Sequence, residues 1–215
     1  MTLARAGDAS LVIDTATHKD STRQFGDSVV AANPVASSGS TAAAPPAGLG
    51  LPGGTGPAYP PIVPADLDAL KREALIVPVA GVAVKDLRDS FDDARGDGTR
   101  KHEALDIMAA RNTPVLSAVS GVLLKYHNSV AGGLTIYVSD PSNRYVLMYG
   151  HLDSYKPGLR EGEALKKGDI IGFVGSTGDA SPNAPHLHFA IMRNDNVKEW
   201  WKGTPLNPFL VYRSK

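Results

Sequence analysis

Residues 114–139, with the sequence PVLSAVSGVLLKYHNSVAGGLTIYVS, contain the pattern that indicates the fold class. Two runs rich in Val, Leu, Ile, Thr and Tyr, at 114–126 and 134–139, are separated by a segment with Asn, Ser and Gly at 128–133. Such runs are typical of β-strands, and turn-forming residues between two of them favour a hairpin. The stretch therefore predicts neighbouring antiparallel strands.

The same pattern extends on both sides of this stretch. Short apolar runs punctuated by Gly, Pro and Asn predict further strands at 79–84, 105–109, 144–151, 169–174 and 186–192. No helical run lies between them, so a parallel sheet of βαβ units is not expected. A short helix is predicted over 66–75, where leucines recur at near-helical spacing behind Asp66, which could cap it. We expect an all-β domain with mostly antiparallel sheets, entered by this helix.

The first 65 residues differ in composition from the rest. No charged residue occurs at 28–65, and 31–65 contains 8 of the 16 prolines together with many Gly, Ser, Thr and Ala residues. This composition offers little large apolar surface to offset the entropy of ordering a backbone. We expect a disordered N-terminal tail and linker at 1–65 and one domain at 66–215, a length typical of a single domain.

The overall composition excludes several classes of function. Lys and Arg total 22 and Asp and Glu total 22, so no net positive charge favours nucleic acid as a partner. The chain has no cysteine, which excludes disulfides, thiolate nucleophiles and cysteine metal sites. Any bound metal must therefore be held by His, Asp or Glu.

Neither a membrane span nor an export signal is predicted. No run of 18 apolar residues occurs, so no transmembrane segment is expected. Asp8 and Asp14 lie where a secretory signal needs an uninterrupted apolar segment. This pattern is compatible with a cytoplasmic protein, with a mature form whose signal was removed, or with a start codon downstream of the true one.

Four histidines and one aspartate are candidate functional residues. His186 and His188 alternate within a predicted strand, which places both imidazoles on one face. His102 and Asp106 are four residues apart, and His151 follows a glycine at a strand end. A catalytic zinc keeps three protein ligands and one open position. His102, Asp106 and one of the paired histidines would supply the ligands, and the remaining histidines would move protons or stabilise an oxyanion.

Five segments together resemble the lysostaphin/LytM-type zinc metallopeptidases, in the order and with the spacing of that family. They are RKHEALDI at 100–107, TPV at 113–115, YGHL at 149–152, GDIIGFVGSTG at 168–178 and PHLHF at 185–189. The resemblance implies the lysostaphin-type fold, a duplicated hybrid motif. It also implies that His102, Asp106 and His188 bind Zn²⁺ and that His151 and His186 are the catalytic pair. Ala104 stands where the family often has Gly, which is tolerable if its φ is negative.

The resemblance further implies a peptidoglycan endopeptidase that cuts cross-links or stem peptides of the bacterial cell wall. Peptidoglycan peptides would be its partners, and the cell envelope, periplasmic or extracellular, its location. No protein partner is indicated. Two alternatives remain at this point: a catalytically silent member of the fold that activates a murein amidase, and a protease of protein substrates.

Other features have simpler interpretations. We interpret His127 as a surface turn residue, and Trp200 and Trp201 as a packing lid over the sheet that could also contact substrate. A lipoyl or biotinyl carrier is disfavoured, because Lys166 and Lys167 lack the flanking residues that a modified lysine needs. Loops at 128–133, 155–163 and 177–183 are expected to line an open substrate groove.

Overall fold

The computed structural model describes residues 62–96 and 98–213. All of these residues belong to the second of the two units into which the chain divides, residues 43–215. Residues 1–61 of the predicted tail therefore lie outside the described part of the chain. None of the helices in the described part of the chain is long and apolar enough to span a bilayer.

The described residues form an antiparallel β-structure with one short helix at each end. Helices α1 and α2 span Pro64–Glu73 and Pro208–Tyr212, and 3₁₀ turns occur at Val84–Asp86 and Val197–Glu199. The strands are β1 Ala94–Arg95, β2 Arg100–Lys101, β3 Leu105–Met108, β4 Pro114–Leu116, β5 Gly121–Ser129, β6 Gly133–Ser139, β7 Tyr145–Tyr155, β8 Ala164–Leu165, β9 Ile170–Val174, β10 His186–Arg193 and β11 Thr204–Leu206.

Within the described ranges, nine strands form one sheet, and β1 and β2 form a separate two-stranded ribbon. The main path through the sheet is β11-β10-β7-β6-β5-β8, with β3 added to β10 and with β9 joining β4 to β7. Every pairing is antiparallel. The predicted all-β, mostly antiparallel fold is confirmed.

The predicted run at 114–126 is two strands rather than one. Strand β4 ends at Leu116, and β5 begins at Gly121, where a Cβ atom would lie 1.8 Å from the carbonyl oxygen of Ser139. That close approach requires glycine. The predicted strand at 79–84 is wrong, because Gly81 adopts φ +80° in a turn closed from the Val82 N–H to the Val79 carbonyl. Only Val79 pairs there, through an isolated bridge.

Helix α1 begins two residues earlier than predicted, and Asp66 is not the N-cap residue. Val63 is the N-cap, and its N–H donates to the Asp66 carboxylate at 2.9 Å. Asp66 is buried and also accepts from the Tyr145 hydroxyl at 2.8 Å and the Arg193 guanidinium at 2.7 Å. This carboxylate therefore joins α1 to strands β7 and β10.

The pairing of β10 determines where the candidate site forms. Strand β10 has β3 on one side and β7 on the other, so that His188 lies opposite both Asp106 and Gly150. The residues of β10 that point away from the site, including Leu187 and Phe189, are fully buried in the core. The site therefore rests on the central strands of the sheet.

Candidate metal centre and active site

The structure brings His102, Asp106 and His188 together in one cluster. Asp106 Oδ1 lies 2.9 Å from His102 Nε2 and 3.3 Å from His188 Nδ1, and the two ring nitrogens are 3.0 Å apart. One ligand atom from each residue lies within 4.8 Å of the others, as a shared metal ion requires. Asp106 lies on β3 and His188 on β10, whereas His102 precedes β3.

Ser90 holds two members of this cluster in place, and sequence reasoning did not identify it. Its carbonyl accepts from His102 Nδ1 at 2.9 Å, and its hydroxyl accepts from the Asp106 N–H at 3.0 Å. Ser90 itself is 5% exposed. Its position 12 residues before His102 carries no sequence signal, because the contact depends on how the loop before β1 folds.

The donor set fits a metal cation. A carbonyl oxygen only accepts hydrogen bonds, so His102 Nδ1 carries the proton and, in the neutral ring, Nε2 carries the lone pair. That lone pair faces the Asp106 carboxylate at 2.9 Å, and two acceptors at this distance repel unless a cation lies between them. Two ligand atoms of a tetrahedral zinc lie about 3.3 Å apart, close to the separations seen here.

Arg95 completes the surroundings of Asp106, and it too was missed from the sequence. Its Nη2 donates to Asp106 Oδ2 at 2.6 Å, which leaves Oδ1 directed at the two histidines. Arg95 lies on β1, in the ribbon before His102.

His151 and His186 lie beside the cluster, where both rings are oriented by backbone carbonyls. His151 Nδ1 is 2.8 Å from the Thr177 carbonyl, and His186 Nδ1 is 2.8 Å from the Ala184 carbonyl. In the neutral rings these contacts place the proton on Nδ1 and the lone pair on Nε2. The ring centroids are 5.0 Å apart, and His186 Nε2 lies 3.7 Å from Asp106 Oδ1.

The backbone at His151 is strained. Its φ of 58° is in the left-handed region, which costs a non-glycine residue about 1 to 3 kcal/mol. The His151 N–H donates to the Gly132 carbonyl at 2.8 Å in the neighbouring hairpin turn. Burial, followed by the nearby His188, lowers the pKa of His151 to about 4. A neutral imidazole with a free Nε2 is therefore held next to the metal ligands.

Two pockets share His188 as a lining residue. The first, of about 80 Å³, is lined by both candidate histidine ligands and by apolar side chains that include Met148 and Trp201. The second, of about 60 Å³, is lined by His151 and by residues of the two loops predicted at 128–133 and 177–183. In the third predicted loop, Glu161 binds the backbone of β5.

The tryptophans differ in their surroundings. Trp200 is 8% exposed and packs on Tyr137, with ring centroids 4.5 Å apart, whereas Trp201 lines the first pocket. His127 was predicted in a surface turn, but it lies within strand β5 and packs 5.4 Å from the Trp200 ring. The turn prediction was wrong because the β5–β6 hairpin turns three residues later, at 130–132.

The substitution at Ala104 is accommodated by its backbone. Ala104 is fully buried, and the left-handed conformation occurs one residue earlier, at Glu103, with φ 58°. A methyl group at position 104 therefore meets no φ restriction of the kind that requires glycine.

Comparisons with known proteins identify the family to which the chain is similar. The sequence profile described as Peptidase family M23 matches residues 100–208, half of the chain. The L-Ala--D-Glu endopeptidase of Bacillus subtilis (strain 168) is 34% identical over 119 residues, which cover 53% of this chain and 36% of that protein. Lysostaphin of Staphylococcus staphylolyticus is 34% identical over 94 residues, covering 43% of this chain and 19% of that protein.

A solved structure of LytM from Ruminococcus gnavus ATCC 29149 superimposes with a TM-score of 0.50 and 32% identity. The match covers 59% of this chain and 52% of that chain. The chain thus spans well under two thirds of the length of the curated relatives that it matches.

Proposed function

The chain belongs to peptidase family M23, and from this membership we propose that it is a zinc-dependent endopeptidase that hydrolyses peptide bonds of bacterial peptidoglycan. The bonds would lie in cross-links or stem peptides of the cell wall. The observation that carries the proposal is the convergence of His102, Asp106 and His188 on one point, with two further histidines directed at it.

Zinc is the metal proposed, because two imidazole nitrogens and one carboxylate oxygen form a typical donor set of a catalytic zinc site. His102 Nε2, His188 Nδ1 and Asp106 Oδ1 would hold the ion. When bound, zinc supplies a Lewis acid that polarises a scissile carbonyl and lowers the pKa of a coordinated water toward about 7.

The remaining residues handle the proton and the developing charge. His151 and His186 each present a lone pair at Nε2, because their Nδ1 protons are donated to the Thr177 and Ala184 carbonyls. One Nε2 would accept the proton of the attacking water, and the imidazolium formed in this way would stabilise the developing oxyanion and then return the proton to the leaving amine nitrogen. Because the carbonyls fix both rings, neither ring has to reorient during the reaction.

The same proposal extends to organisation and location. Residues 66–215 would be the peptidase domain, preceded by a tail and linker at 1–65. The protein would act in the cell envelope, periplasmic or extracellular, where its peptidoglycan substrate lies.

Digestion of purified peptidoglycan with the zinc-loaded protein, followed by mass spectrometry of the muropeptides, tests the proposed function. We expect new peptide termini, their loss after chelation and their return with added zinc. The D106A variant serves as the inactive control. Absence of cleavage together with stimulation of an added murein amidase would instead indicate an activator, and cleavage of casein alone would indicate a protease of proteins.

A further inference from the structure

We propose that Arg100 is a specificity-determining residue that binds a free carboxylate of the substrate, within one residue of the scissile bond. The inference rests on the proposed function and adds a chemical requirement to its substrate. It comes from the position of Arg100 on the β1–β2 ribbon and from the partners of the charged groups around it.

The ribbon places two arginines side by side. Arg95 of β1 pairs directly with Arg100 of β2, and directly opposed residues of an antiparallel pair have their side chains on the same face. Like charges in this position destabilise a ribbon of two-residue strands. Arg95 is neutralised by Asp106 at 2.6 Å, so a second anion at Arg100 would remove the remaining repulsion.

Arg100 also lies where a substrate must pass. It lines both the first and the second pocket, and these two pockets share His188 as a wall. A peptide that places its carbonyl at the metal centre therefore runs past the Arg100 side chain on one side of the bond or the other.

The guanidinium of Arg100 has donors to spare. Among the described residues, its closest acidic oxygen is Asp179 Oδ2 at 4.0 Å, beyond hydrogen-bond distance, and both side chains are substantially exposed. Lys101, which lines the first pocket too, is held by Asp92 at 2.6 Å. Glu103 adds a negative charge to the same pocket. Selection of a carboxylate therefore depends on the directed N–H groups of Arg100 rather than on the net charge of the pocket.

The rest of the first pocket indicates what accompanies the carboxylate. Met148, Met192 and Trp201 provide apolar walls in a volume of about 80 Å³. A short aliphatic side chain fits there, next to the cationic rim. The expected substrate residue is thus a small aliphatic amino acid adjacent to an acidic group.

The test begins with the bond that the zinc-loaded wild-type protein cuts in isolated peptidoglycan. A synthetic peptide spanning that bond is made in two forms, one with the nearby carboxylate free and one with it converted to a primary amide. Wild-type kcat/KM should be about tenfold or more higher for the free acid, as expected for a charged hydrogen bond. In R100Q the ratio should fall to about one, because kcat/KM falls for the free acid and stays unchanged for the amide.

Two matched variants separate recognition from structural damage. R100K keeps the charge without the bidentate geometry and should retain an intermediate preference. R88Q removes an exposed arginine that pairs with Asp93 outside both pockets, and it should leave the ratio unchanged. Zinc content and melting temperature are measured for every variant.

The outcomes distinguish this inference from the proposed function. An equal ratio in wild type and R100Q, or a cleaved bond with no carboxylate within one residue, overturns the role of Arg100 while the endopeptidase stands. Absence of hydrolysis by the zinc-loaded wild type overturns the proposed function and this inference with it.

Discussion

Asp66 and Asp106 are two carboxylates with similar partners and different roles. Each is bound by an arginine, Arg193 at 2.7 Å for Asp66 and Arg95 at 2.6 Å for Asp106. The other partners of Asp66 are the Val63 N–H, the Tyr145 hydroxyl and, at 3.5 Å, the Arg144 guanidinium, all of which can donate. Asp66 is therefore saturated with donors and needs nothing further.

Asp106 differs because its Oδ1 atom faces the lone pair of a histidine ring nitrogen. The His102 Nδ1–H donates a hydrogen bond to the Ser90 carbonyl, so Nε2 carries a lone pair. This Nε2 approaches Asp106 Oδ1 at 2.9 Å as a second acceptor. A carboxylate surrounded by donors joins elements of the fold, whereas one that faces an acceptor requires a cation. Replacing each of the two carboxylates in turn tests this distinction.

The largest effect is expected from D106A. Two remaining ligands hold zinc poorly, so the variant should lose its metal and at least about a thousandfold in hydrolysis of peptidoglycan peptides. Zinc per chain is measured by elemental mass spectrometry. D66N is the matched control and should keep the metal when folded; full zinc occupancy in D106A would contradict the ligand assignment.

D66N should instead lower stability. Removing the charge weakens the contact with the partly buried Arg193, which keeps Asp195 as a partner, at a cost of about 2 kcal/mol in the free energy of unfolding. Urea denaturation measures this cost. A change below about 1 kcal/mol would show that the contact contributes little to the packing of α1.

The acid dependence of stability should change in the same variant. Burial opposes ionisation of Asp66, but its hydrogen bonds and Arg193 lower its pKa below 3.8 in the folded protein. A lowered folded-state pKa contributes stability above the unfolded value, and that stability is lost as the pH falls through the folded value. Below about pH 4 the loss of stability should be shallower in D66N than in wild type.

Within the histidine cluster, H151A and H186A should keep zinc and lose hydrolysis on the order of a hundredfold. H188A should lose both, although His186 and His188 are two residues apart on β10. General damage to the strand would affect both positions alike. If H186A released the metal and H188A retained it, the two roles would be exchanged.

The smallest effect is expected from R95Q. Arg95 orients Asp106 without contacting the metal position, and loss of such a partner weakens metal binding about tenfold to a hundredfold. Competition with a chromophoric chelator measures zinc affinity directly, and R95K should restore part of it. Unchanged affinity in R95Q would show that the ribbon does not support the site.

The strand content of the fold was predictable where runs were long enough to show a period. Strands β6, β7 and β10 were located within a few residues. The two-residue strands β1, β2 and β8 carry no periodic signal, because a ribbon this short is stabilised by its neighbours rather than by its own pattern. At 79–84 the apolar run predicted a strand that does not form, because the turn at Gly81 interrupts it.

The sequence by itself determined that His186 and His188 share one face of a strand, because side chains alternate along any extended backbone. It also predicted that His102 and Asp106 share one face, but residues four apart in a strand lie about 13 Å apart, so their approach to 2.9 Å comes from the folded chain, which turns at Glu103 with φ 58°. Only the tertiary structure decided that His102 meets His188, 86 residues away, and that Arg95 and Ser90 hold the cluster. Such contacts depend on which strands pair and in which register, and pairing is decided by burial of the whole sheet rather than by any local segment.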